Sequence, residues 1–114
     1  MYVNVEHWIR TWREAASTAN AHLACKVMEP HLNMLDFILA TPEAISLVTD
    51  IFHTGDVQAL KDAERTKAIY AVVDKSERVA SIKVAAAAAK IPWEDFVKAL
   101  PGLLRILLTL NARR

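Results

Sequence analysis

Residues 82–100 read IKVAAAAAKIPWEDFVKAL, and how this stretch is read decides the fold. Alanine has the highest helix propensity and loses no side-chain entropy on ordering, so the run from Ala85 to Ala89 belongs in a helix. Ile91-Pro92-Trp93-Glu94-Asp95 opens a second helix. Pro92 suits the first helical position, where a missing N–H does no harm, and both acids face the positive end of the helix dipole. Successive methyl side chains leave no bulky group on any face over more than one turn, so neighbouring backbones can approach closely. The expectation is a slim helix near the centre of a bundle. Trp8, Trp12, Phe37, Phe52, Trp93 and Phe96 would then find small surfaces to pack against.

Outward from that stretch the same helical spacing recurs, and strict alternation of apolar and polar residues never persists. Glycines at 55 and 102 and prolines at 30, 42, 92 and 101 supply the punctuation. A first helix runs from about Val5 to Met28, capped by Asn4. Trp8, Trp12, Ala19, Leu23 and Val27 lie on one stripe, and Glu6 is paired with Arg10. Pro30 interrupts it, and the short apolar segment HLNMLDFILA follows. Thr41-Pro42-Glu43 starts another helix, which Gly55 closes by taking a left-handed conformation; Asp56 caps the next, beginning at Val57. Between Val57 and Lys90 the chain reads as one long helix or two, and DKSE at 74–77 favours a break near Asp74 through a capping box. Pro101-Gly102 ends the helix begun at Pro92 near Leu100, and LLRILLTLNARR forms the last one. The fold class is all-α: a single domain, a compact orthogonal bundle of five to six helices.

The chain has 114 residues, 54% of them apolar, enough for one modest core and too apolar for disorder. No apolar run approaches the roughly 20 residues needed to cross a bilayer. The start, MYVNVEHWIRTW, meets charge and tryptophan at once and does not read as a signal peptide. Cys25 is the only cysteine, so no internal disulfide forms, and a cytoplasmic location is the default. Net charge is +1, but it is unevenly spread: residues 1–60 sum to −4 and residues 61–114 to +5. Two such halves either face each other within one fold, the favoured reading, or attract a partner or a second copy.

Residues 82–100 also resemble a helix-turn-helix motif. Ala86 falls where the first helix of that motif needs a small residue, Lys90 lies in the turn, and Ile91, Phe96 and Ala99 fall at apolar anchor positions. The resemblance implies a nucleic-acid contact, with Lys61, Arg65, Lys67, Lys75, Arg78, Lys83, Lys90 and Lys98 available to phosphates. The chain departs from the motif at Lys90, where glycine is usual. The would-be recognition helix also presents Glu94 and Asp95 in place of base-reading side chains.

Other chemistry finds little material. His22, Cys25 and His31 are the one metal-like group, without a second cysteine, and read as a small thiol beside two surface imidazoles; no metal or cofactor is expected. Ser17 and His22 belong to no strained elbow, and no phosphate-cradling glycine loop or dinucleotide fingerprint occurs. Neither catalysis nor a small-molecule substrate is indicated. Arg10 and Arg13 beside the tryptophans could serve stacked single-stranded bases, although Trp8 and Trp12 on the apolar stripe read better as core.

The C-terminal segment is apolar nearly all round. Leu103, Leu104, Ile106, Leu107, Leu108 and Leu110 surround Arg105, so the segment either inserts among the other helices or docks on another molecule; a membrane role lacks a basic face. The leading expectation is a non-enzymatic interaction or assembly protein. It would bind a protein partner or itself through these six residues, with nucleic-acid association as the alternative.

Overall fold

Asn4 caps the first helix as the sequence implies, its Oδ1 accepting a hydrogen bond from the His7 amide at 3.0 Å. This comes from a computed structural model that describes residues 4–16 and 32–112. Helix α1 (Val5–Ala16) buries Val5, Ile9 and Trp12, spaced at four and three, and Trp8 packs half-buried beside them. Glu6 and Arg10 pair at 2.9 Å on the exposed side. Arg13 reaches across to Asp36 at 2.7 Å, and that hydrogen bond raises the guanidinium's already high pKa further. Ala19, Leu23 and Val27, Ser17, and the His22, Cys25 and His31 group, lie outside the described residues.

The other helices are α2 (Leu32–Ala40), α3 (Pro42–His53), α4 (Gly55–Ala59), α5 (Asp62–Lys75), α6 (Val79–Ala88) and α7 (Trp93–Ala112). The fold is all-α, with seven helices among the described residues against the five to six expected. The difference lies in the boundaries. Pro42 occupies the start of α3 as read, but the Thr41 hydroxyl makes no capping bond; its carbonyl accepts the Ala44 and Ile45 amides instead. Gly55 does not close α3. The helix ends at His53, Thr54 intervenes in an extended conformation, and Gly55 begins α4 without a positive φ.

A second break, at Leu60–Lys61, separates α4 from α5, and Arg65 explains how it holds. Its guanidinium donates to the carbonyls of Val57 at 3.1 Å, Gln58 at 3.3 Å and Leu60 at 2.7 Å. These are carbonyls that the last turn of α4 leaves without helical partners. The break between α5 and α6 falls at Ser76, just beyond Asp74. The Ser76 Oγ accepts the Arg78 amide at 3.2 Å, so the turn forms without the capping box.

Pro101 does not end the last helix either; α7 runs through it for 20 residues. A proline inside a helix costs about 3 kcal/mol, since it removes one backbone bond and crowds the preceding turn. Against that, Leu103, Leu104 and Leu107 are all buried beyond the proline, each contributing about 1.5–3 kcal/mol. Packing decides the outcome.

The centre of the bundle is α3, not the alanine helix. It packs against each of the other described helices, burying Ala44, Leu47, Val48, Ile51 and Phe52. The alanine helix α6 makes its main contacts with α3 and α7 only. It buries Ile82 and Ala86 and leaves Ala87, Ala88 and Ala89 exposed. The central slim helix expected from the alanines is therefore corrected: α6 lies at the periphery.

Candidate interaction surface

Why α6 exposes so much follows from its buried edge. Val79, Ile82, Ala85 and Ala86 face the core, of which Ile82 and Ala86 are fully covered. At helical spacing the opposite side is Ala80, Ser81, Val84, Ala87 and Ala88, all exposed. Val84 stands at the middle of that side and is 73% exposed. A surface helix normally carries charge opposite its core stripe. This one carries none there.

Helix α6 ends in a tight left-handed turn. The Ile91 amide donates to the Ala86 carbonyl at 2.9 Å and the Lys90 amide to the Ala87 carbonyl at 3.1 Å, which is the paired closure of a Schellman motif. Lys90 takes φ 61°, a position that glycine usually fills. Trp93 follows in the first turn of α7, stacked on Phe96 with ring centroids 5.3 Å apart. Phe96 in turn meets Phe37 of α2 edge-on at 5.8 Å, so Trp93 is anchored through the core. Lys83 lies over Trp93, its Nζ 5.3 Å from the ring centroid. Between the end of α6 and the start of α7 opens a cleft of about 480 Å³, walled by Lys83, Ala87, Lys90, Ile91 and Trp93.

Of the C-terminal residues expected to bind a partner, Leu103, Leu104 and Leu107 are fully buried in the chain's own core. Ile106 and Leu108 are half-buried against it, and the Leu110 side chain lies outside those described. Insertion among the other helices accounts for these residues, which among those described form no continuous free face.

The basic residues do not converge. Arg65 is held by backbone carbonyls, and Arg78 pairs with Asp50 at 2.8 Å. Lys67 lies on the side of α5 opposite Ile69 and Val73, while Lys75 shares a groove with Glu43, Asp50 and Glu77. Lys61 and Lys98 are exposed. Lys83 and Lys90 line one cleft together with Glu94, and Lys75 and Arg78 line the other groove together with three carboxylates, so neither pair forms a purely basic surface. No group of His, Cys, Asp or Glu suited to a metal occurs among the described residues. No helix among them is long and apolar enough to cross a membrane.

Comparison with family models, curated proteins and solved structures finds no match to this chain. The uncharged outer face of α6 escaped the sequence reading because a run of alanines has no phase: any side of it could face the core. The usable signal was Val84, the one larger apolar residue between Lys83 and Lys90.

Proposed function

We propose that the protein is a non-enzymatic interaction module that packs a second copy of itself against the outer face of α6. The observation that carries the reading is that face: Ala80, Ser81, Val84, Ala87 and Ala88 expose no charge, with Val84 73% exposed at its centre. Small side chains let two helices approach closely, and a two-fold axis near Val84 would set each face against its counterpart.

Solution mass measured over rising concentration tests it. The wild-type chain should shift from monomer towards dimer, and Val84→Asp should stay monomeric with an unchanged helical signal. Substitution at so exposed a helical site should alter stability by only about 0.5 kcal/mol, so loss of dimer would not reflect unfolding. A wild-type chain that remains monomeric throughout contradicts the reading.

A second reading, nucleic-acid contact through α6 and the first turns of α7, is favoured by one observation: Lys90 reproduces the left-handed turn of a helix-turn-helix without glycine. The exposed Glu94 and Asp95 weigh against it, because they would approach phosphates. Binding to duplex DNA that falls steeply between about 50 and 200 mM salt would support this reading, and negligible binding at the lower salt would remove it.

A further inference from the structure

A second cavity, of about 360 Å³, opens on the α5 flank of α6, where Tyr70, Asp74, Val79, Lys83, Trp93 and Val97 are among its walls. It is separate from the outer face around Val84. Its size lies at the lower end of the range for sites that enclose a small group. One face of Trp93 is taken by Phe96, and above the ring stands the Lys83 ammonium. The indole face therefore already receives a cation, from an exposed lysine whose flexible stem can swing into solvent. At the same cavity Asp74 is exposed and forms no ion pair with any described residue. A half-buried tyrosine supplies a second aromatic wall, and Val79 and Val97 supply apolar ones.

An aromatic face, an unpaired carboxylate and apolar walls suit one type of group: a cation on an apolar stem. We infer that this cavity receives an arginine side chain from a basic segment of a different protein, with Lys83 as the plug that it displaces. Arginine fits better than lysine. Its planar guanidinium stacks on the indole, sheds water more readily than an ammonium, and can turn its edge to the Asp74 carboxylate. Lys83 holds the ring face in the free protein and leaves when the competing cation also meets Asp74. The inference does not depend on dimer formation through α6.

Titration of the full chain with Nα-acetyl-arginine amide, followed by the NMR shift of the Trp93 indole N–H, tests it. That signal is identified by its loss in Trp93→Phe. Removing the plug with Lys83→Met should tighten binding roughly threefold to tenfold, the scale of one cation–π contact. Asp74→Asn should weaken it by a similar factor, and the neutral norleucine amide should shift the signal little. The lysine amide should bind more weakly than the arginine amide. Both substituted positions are exposed, and the helical spectrum of each variant verifies its fold. Binding that Lys83→Met leaves unchanged or weakens, an equal response to the norleucine amide, or no saturable shift in any variant would overturn the proposal.

Discussion

Lys90 shows how much one backbone angle can carry. At φ 61° its Cβ crowds the following carbonyl, a cost of about 1–2 kcal/mol that glycine would not bear, while glycine would lose more entropy on folding. Lys90→Gly should therefore stabilise the chain by about 0.5–1 kcal/mol in urea unfolding. A loss of stability would show that the lysine side chain holds the turn. The alanines divide in the same way. Ala86 is 1% exposed, and Ala86→Leu should cost about 1–3 kcal/mol by overpacking. Ala87 faces solvent, and Ala87→Leu should change stability by no more than about 0.5 kcal/mol. Thermal or urea melts of the two variants check the contrast, and equal losses would place α6 back inside the bundle. The sequence made the turn legible through Lys90-Ile91-Pro92. It could not say which alanine faces inward, because methyl groups alike on every side give burial no preference.

Helix boundaries depended on tertiary contacts that local residues do not announce. The start of α3 was readable from Pro42 and that of α1 from Asn4, since each acts through its own backbone neighbourhood. The α4–α5 break was not readable, because Arg65 makes it from beyond the gap. The charge pattern that offered Arg65 to phosphates carries no trace of the carbonyls that hold it. Its side chain is only 14% exposed, and Arg65→Ala should cost about 1–3 kcal/mol by leaving those carbonyls without partners. A loss within error would mean that water replaces the guanidinium. Pro101 misled in the opposite direction, as the buried leucines beyond it outweigh the local stop signal. Leu107→Ala should accordingly cost about 2–5 kcal/mol, measured by chemical unfolding. A small loss would return the C-terminal residues to the list of free surfaces.

At the scale of the whole molecule, described helices from the acidic half pack against helices from the basic half. Helix α3, from the acidic half, packs against α5, α6 and α7 from the basic one, and Arg78–Asp50 crosses between them. That pair is about half exposed and contributes at most about 1 kcal/mol, so apolar packing around α3 holds the halves together. All-α class was legible because helical spacing pervades the chain. Which helix lies at the centre was not, since that depends on how faces meet across the bundle. With α3 at the hub and Leu103, Leu104 and Leu107 of α7 buried, the proposed self-assembly falls to the uncharged face of α6. The direct test is oxidation of Val84→Cys in a Cys25→Ser background. The account predicts a covalent dimer forming much faster than with Lys67→Cys, a control on the outer side of α5, because a disulfide needs Cα atoms within about 7 Å. Equal rates at the two positions, or no dimer from Val84→Cys, would contradict it.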